Sequence, residues 1–394
     1  MNPRIAVIAL ATFAFGTQTY VFSGLLAELA ADLGVGVGRA GQLSSVFAVV
    51  YALSAPLLAG LIAPLERKRI LTGALAALFL INLMAAHMPT FEGLLTTRVL
   101  AGLASALVTP VAFAAAVALT PEHARGRALA LVMAGMTLAF VVGIPLGSVV
   151  GDLFGWRATF TFSGLLAGTA ALGIGLVLPR VPSGERSGPA TLLIAFRPQV
   201  LGTLLCSLVA FSATFAVVAF IGPVVNAVTG FTGDRVGAMQ LCVGAGGVIG
   251  VFLGGFLADR SGSGRTLTVA FTVIAVNLAF FSLLMGADWR GTGMAVTAMA
   301  LALFVSSAAM FSIGPVIQNR LINAAPRYPT VVLALNAAFI FFGQGLGAAI
   351  GGLGIQYLGL GSLGLLGGTI ALAGAGLAAL AADPTPATAP ERGT

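Results

Sequence analysis

The chain has 394 residues, of which 58% are apolar and only 8% charged. A soluble fold of this length would need far more charge on its surface, so the composition excludes an ordinary soluble domain. The net charge of +7 follows the loops of one side rather than forming a patch, which argues against a nucleic-acid partner.

Long apolar runs separated by short charged loops predict helices that cross a bilayer, not a barrel. Twelve spans are expected, near 5–27, 41–63, 70–88, 93–119, 128–150, 158–178, 200–225, 236–258, 266–287, 293–317, 330–356 and 361–381. The first run follows Arg4 and is too long for a cleaved signal peptide. The last two spans are the hardest to separate, since 328–382 carry no charge and only Tyr357-Leu-Gly-Leu-Gly361 suggests a turn. Residues 179–199, rich in Pro, Gly and Ser, read as a cytoplasmic linker between six-helix bundles at 1–178 and 200–381. The Pro/Ala-rich stretch 382–394 reads as a disordered tail.

Loops of one side hold Arg39, Arg157, Arg235 and Arg290. Nearly all the other basic residues, including Arg67, Lys68, Arg69, Arg125 and Arg127, fall on the opposite side. The crowded side is therefore expected to be cytoplasmic, with both termini there, in the inner membrane. Arg98 reads as the one basic residue inside a span.

Span one has a polar centre, Thr17-Gln18-Thr19-Tyr20 with Ser23. Such groups at mid-bilayer either line a cavity or bond back to their own helix. Glu28 and Asp32 lie near its outer end. Span five carries glycines at 135, 143, 147, 151 and 155, with Pro145 among them. The same spacing returns two hundred residues later at Gly343, Gly347 and Gly351. A bare helical face allows close approach of another helix. With the proline kink it would let two bundles close tightly and rock, or serve as a packing face and nothing more. Phe220-Ile-Gly222 of span seven echoes Phe22-Ser-Gly24 of span one. A membrane chain that repeats at half its length has two homologous halves, the mark of a secondary transporter. Further polar residues stand in span ten (Ser306, Ser307, Ser312) and span eleven (Asn336, Gln344). Cys206 and Cys242 both fall in apolar runs and read as free thiols.

Several stretches resemble a known family. Gly255-Phe-Leu-Ala-Asp259-Arg260 is similar to the loop signature of the major facilitator superfamily, in which an Asp caps a neighbouring helix and a charge network latches the inner gate. The first-half copy departs, with Pro64 and Leu65 where Asp and Arg would stand; Glu66 and the Arg67–Arg69 run would substitute, leaving the second half with more of the latch. Arg98-Val-Leu-Ala-Gly102 is similar to the Arg-x-x-x-Gly motif of exporters, where the arginine is tied to proton coupling. Snorkelling to the outer surface is the plainer alternative for Arg98. The ladder through Gly143-Ile-Pro145 to Gly155-Trp156-Arg157 resembles the antiporter motif. Together with GLLAELAADLGV, ARGRALALVMAG and LALNAAFIFFGQGLGAAIGG, these stretches resemble the drug–proton antiporter branch, in particular sugar-efflux and chloramphenicol-resistance exporters.

One departure bears on mechanism. The branch usually carries a glutamate in mid-span one, and the aligned position here is Thr19, which cannot titrate. No acid falls in the middle of any expected span. Either Asp32 or Asp152 near a span end carries a proton, or transport is an uncoupled facilitator's, or neutral oxygens bind a driving ion such as sodium. Without a buried carboxylate, a permanent dication has nothing to meet at mid-membrane. Twenty-six phenylalanines and scattered hydroxyls and amides suit a neutral or weakly polar molecule; Arg98 keeps an anionic metabolite open. The substrate residues expected are Gln18, Thr19, Ser23, Arg98, Asn336 and Gln344, with Arg98, Asp32 and Asp152 for coupling. Gly143, Pro145, Gly147, Gly151, Asp259, Arg260, Gly343, Gly347 and Gly351 are expected to gate or to support. The reading is thus a small-molecule exporter, with a facilitator or importer as the alternative and a non-transporting receptor as the third. A monomer in the lipid bilayer is expected, with no cofactor or metal. His87 and His123 stand singly, and no nucleophile–base pair falls in the spans, so enzymatic chemistry is not expected.

Overall fold

The computed structural model describes residues 3–62, 64–181, 189–286 and 289–380. The tail expected at 382–394 lies outside them, as does 182–188 of the expected linker.

Among the described residues, twelve helices are long and apolar enough to cross a membrane: Pro3–Asp32, Val37–Leu58, Arg67–Ala86, Phe91–Ala118, Glu122–Phe154, Trp156–Val177, Pro198–Val218, Gly233–Ser261, Ser263–Gly286, Gly293–Ala324, Val331–Leu358 and Leu360–Leu380. They are called spans one to twelve below. An even number of spans brings Pro3, where the first begins, and Leu380, where the last stops, to one side of the bundle, the terminal end; the other is the far end. The hardest cut falls at Gly359, whose φ of +85° turns the chain sharply. Gly155, at φ +83°, makes the matching turn between spans five and six. Both need the left-handed backbone that glycine adopts at least cost.

The halves repeat in packing as well as in sequence. Span one packs on five, two on four, three on six and three on four. Seven on eleven, eight on ten, nine on twelve and nine on ten repeat the set. The glycine ladders explain the first of these pairings. A Cβ at Gly143 would lie 2.0 Å from Thr17 Oγ1, and one at Gly147 2.3 Å from Val21 Cγ2. In the second half, Cβ atoms at Gly343, Gly347 and Gly351 would meet the carbonyl oxygens of Leu208, Ser212 and Ala216 at 2.3–2.5 Å. Each ladder therefore presses against a helix of its own half. Of the two readings of the stripe, these contacts fit the packing face and not a face on which the bundles close. The bare stripe is consumed in seating spans five and eleven on spans one and seven.

Span five bends where it must. Pro145 has no N–H to give and its ring crowds the preceding turn. Residues Ala139–Gly143 absorb this as one π-helical turn before the helix resumes at Ile144.

Spans one and seven both break. The first helix stops at Tyr20 and resumes at Leu26; the seventh stops at Val218 and a short helix, Ile221–Thr229, follows. The echo of Phe22-Ser-Gly24 in Phe220-Ile-Gly222 marks these breaks, which meet face to face. A Cβ at Gly222 would lie 2.3 Å from the Gly24 carbonyl oxygen.

The halves touch mainly through spans two and eleven and through five and eight. At the far end, a Cβ at Gly38 would sit 2.5 Å from Gly352 O, and one at Gly233 would run into the Asp152 carboxylate. Nearer the middle, Gly237 abuts Pro145 O, Gly244 abuts Val141, and Gly345 abuts Ser45 O and Val49. The Tyr51 and Phe341 rings meet at a tilt of 37° with centroids 4.0 Å apart. Among the described residues, the cross-half hydrogen bonds and glycine contacts lie between the far end and about mid-span, and the Phe15–Phe341 and Tyr51–Phe341 ring pairs lie just past it.

Span eight shows what happens beyond. In its far-end half, exposure recurs at Ala238, Leu241 and Ala245, one lipid-facing stripe. In its terminal half Val251, Phe252 and Leu253 are all exposed, three successive residues about 100° apart on the helix. Only the stripe through Gly250 and Gly254 stays packed, on span ten. The helix leaves the interface halfway along, so the halves part toward the terminal end.

Candidate functional site

The centre of the first half is a closed polar knot. Arg98 is fully buried, which settles against snorkelling. Its guanidinium donates to Asn82 Oδ1 at 3.3 Å and to the Gln18 carbonyl at 3.5 Å. Phe160, Phe22 and Phe47 surround it with ring centroids 5.0, 5.7 and 5.9 Å away. Gln18 Nε2 donates to Ser105 Oγ at 2.6 Å, and Asn82 Nδ2 to Gln18 Oε1 at 3.3 Å. Burying a charge costs several kcal/mol unless partners compensate. Here carbonyl-type oxygens and three ring faces do so, without a carboxylate. Arg98 Nε has no hydrogen-bond partner among the described residues, but the guanidinium is enclosed within its own half and presents no open charge to an anion.

Thr19 is buried and bonds back to Phe15 O at 2.8 Å. Thr12 reaches further, donating to Val132 O of span five at 2.7 Å. In the second half Ser207 Oγ donates to Asn336 Oδ1 at 2.5 Å. Gln18, Thr19, Arg98 and Asn336 therefore all bond within their halves. Gln344 and Ser23 stand at the boundary. Gln344 Oε1 accepts from Tyr20 Oη across it at 2.7 Å. Sequence reasoning singled out Arg98 as the one basic residue inside a span. Arg320 is a second, 4% exposed within span ten, because that helix runs on past residue 317.

Two small cavities lie along the boundary, each with a cavity volume of ≈ 30 Å³. That is room for a water or two. The first is set among Thr214, Phe215, Ile221, Leu278, Phe281, Ser306, Ser307 and Phe311. The second is bounded by Tyr20, Ser23, Ile144 and Gln240. Phe140, Val218, Ile221 and Val243 line both, so the two are parts of one slot between spans one, five, seven, eight, nine and ten. Its walls are aromatic and aliphatic. Ser148 Oγ donates to Gln240 Oε1 across the halves at 2.9 Å. Gln240 Nε2 and Ser306 Oγ are buried with no hydrogen-bond partner among the described residues. Sequence reasoning missed Asn82, Ser105, Ser148 and Gln240. Each is a lone polar residue in an apolar run, and nothing local says which helix it will meet.

The described acids all lie near span ends. Asp32 accepts from Trp156 Nε1 at 3.1 Å and pairs with Arg157 at 2.5 Å, so it is tied to the start of span six. Asp152 is exposed and packs against Gly233 at the start of span eight.

The loop signatures sort in reverse of expectation. Arg67 donates to Ala114 O at 3.1 Å and Lys68 to Leu178 O at 2.6 Å. These carbonyls lie at the C-terminal ends of spans four and six, where cations are favoured. Glu66 pairs with Arg69 at 3.1 Å. Asp259 and Arg260 lie exposed in the last turn of span eight, Arg260 over the Phe256 ring at 4.6 Å. The first-half copy makes the tertiary bonds, because its basic residues start a helix beside two helix ends.

A family profile described as Major Facilitator Superfamily matches residues 8–332, from the first span into the eleventh. A chloramphenicol resistance protein of Streptomyces lividans is 33% identical over 352 residues, 87% of each chain. The inner membrane transport protein YdhP of Escherichia coli K12 is 31% identical over 355 residues, 89% of each. Among solved structures, a bacterial homologue of the human lysosomal transporter Spinster, inward-facing and occupied, matches with a TM-score of 0.75 at 16% identity over 96% of each chain; that likeness concerns the fold. With twelve spans in two halves that repeat in sequence and packing, and with this match along most of its length, the chain belongs to the Major Facilitator Superfamily and is a secondary transporter of small molecules.

Proposed function

We propose that this transporter exports small neutral or weakly polar compounds from the cytoplasm, its site being the slot between the halves, now about 30 Å³ in each part, once it widens as the halves part. The observation that carries the reading is the slot itself, apolar and aromatic, with amide and hydroxyl groups as its polar lining and no acid among the residues that border it. A cation would find no counter-charge there, and Arg98 is closed off inside the first half. Basic residues crowd the terminal-end loops, which supports a cytoplasmic terminal end, both termini with it, and a far end outside. The conformation described is then closed outside and parting inside. A substrate enters between the halves from the cytoplasm and leaves when the far-end contacts open. The name of the Streptomyces relative, a chloramphenicol resistance protein, supports the direction and the kind of compound.

A second reading rests on Thr19. Its hydroxyl is used by its own helix, and the described acids stand near span ends, so uncoupled facilitation on the same fold is the alternative to powered export. Chloramphenicol accumulation in cells lacking their own efflux pumps, with and without a protonophore, tests both. Powered export predicts lower accumulation that the protonophore abolishes. Faster equilibration that ignores the protonophore selects the facilitator. No effect on any neutral compound would count against the substrate reading.

A further inference from the structure

We propose that Gln240 is the specificity-determining residue of the slot, and that the transported molecule is a neutral apolar compound carrying a hydrogen-bond acceptor of carbonyl type, which the Gln240 amide N–H recognises. The inference rests on the slot's being the substrate site and names what that site selects.

Four observations lead here. Gln240 is 3% exposed, in span eight, and borders the slot. Its Oε1 accepts from Ser148 of the other half, which fixes the amide plane. Its Nε2 has no partner among the described residues. An amide N–H held out of water without an acceptor carries an uncompensated desolvation penalty, so a ligand that supplies an acceptor recovers what the empty site forgoes. Finally, the space beside Nε2 is kept open by a glycine. A Cβ at Gly24 would come within 2.3 Å of Ser148 Oγ and 3.3 Å of Gln240 Nε2. Beyond the amide, Phe140, Val218, Ile221 and Val243 offer only apolar surface. One oriented donor at the head of an apolar slot rewards a carbonyl and rejects the matching hydrocarbon, because the donor would otherwise stay unpaired.

The amide also belongs to the contact between halves, through Ser148. A ligand acceptor on Nε2 pulls on the group whose other end joins spans five and eight. Recognition and the far-end closure thus share one side chain, without any charge.

The test uses the full-length purified protein and a matched pair of neutral probes, benzophenone and diphenylmethane, which differ by a carbonyl in place of a methylene. Chloramphenicol serves as a larger carbonyl-bearing probe. Ligand-dependent thermal stabilisation reads affinity. The expected result is that the wild-type protein prefers benzophenone to diphenylmethane by roughly tenfold. Gln240→Leu should abolish that preference while keeping diphenylmethane binding, which shows the site is still folded. Gln240→Met, close in size but without the amide donor, should weaken both carbonyl probes. Equal binding of the pair by wild type, or carbonyl binding unchanged in Gln240→Met, would overturn the inference and leave the slot as the substrate site. Binding of none of the three probes would count against the neutral-substrate reading itself, and the inference with it.

Discussion

The carbonyl oxygen of Gly24 lies 2.3 Å from where a Cβ on Gly222 would stand. The two residues occupy equivalent places in the broken helices of spans one and seven, so the halves meet at the point where each chain departs from regular helix. A helix break frees backbone polar groups and brings two backbones within reach of each other; only a residue without a side chain fits. This makes the Gly24–Gly222 contact a sensitive place to bias the balance between the two ends.

Gly222→Ala should hold the far end open. Forcing a methyl into a packed contact costs about 1–3 kcal/mol, enough to shift a two-state balance by roughly fivefold or more. In a background with Cys206 and Cys242 replaced by Ala, a cysteine placed by Ile221→Cys should react faster with an impermeant maleimide when Gly222→Ala is added. Ile221 is 3% exposed at present, so an unchanged rate would show that the contact does not control the far end.

Arg98→Lys should not be tolerated as a conservative change. The guanidinium fills a box of three phenylalanines while donating to Asn82 and to the Gln18 carbonyl. An ammonium cannot reproduce the planar fork. A loss of about 2–4 kcal/mol is expected, read as a fall of several degrees in the melting temperature of the detergent-solubilised protein. A melting temperature equal to wild type would mean the knot is not structural.

Thr19→Val should be close to silent. The hydroxyl bonds only its own helix, and such back-bonding contributes little. Transport of any substrate, and its response to a protonophore, should stay within about twofold of wild type, the change expected for a few tenths of a kcal/mol. A loss of protonophore sensitivity would instead place the coupling pathway at this residue.

Lys68→Ala and Arg67→Ala should each destabilise by about 0.5–1 kcal/mol, since each removes a cation from a helix C-terminus. Asp259→Ala and Arg260→Ala, both on exposed side chains, should change stability by less than about 0.5 kcal/mol. Thermal melts of the four variants compare the two loop copies directly. Larger losses from the second pair would restore the latch to the second half.

The spans, the repeat and the packing of the ladders could be read from the sequence because each is a periodic signal. Glycine at every fourth position in an apolar run states that something packs closely there. It does not state what, and the ladder proved to seat spans five and eleven within their own halves. The contact between halves rests instead on Gly237, Gly244, Gly345 and Gly38, scattered glycines in a chain that has 53. The polar site was less legible still. Gln18, Arg98, Asn336 and Gln344 stood out as polar residues in apolar runs, but their partners Asn82, Ser105, Ser207 and Tyr20 are set by tertiary contacts from distant spans. Ser148 and Gln240 each lie in glycine-rich stretches where one hydroxyl or amide carries no pattern. Arg320 was assigned to a loop because span ten is longer than its apolar run.

The central claim is that the halves rock, closing one end as they open the other. Spin-label distances test it without any ligand. In the background lacking Cys206 and Cys242, Gly36→Cys with Tyr357→Cys reports the far end, and Arg125→Cys with Asp259→Cys the terminal end; all four sites are exposed. Adding Gly222→Ala should lengthen the far-end distance and shorten the terminal-end distance together. Distances that stay fixed, or that lengthen at both ends, would contradict a rocking exchange between the two halves.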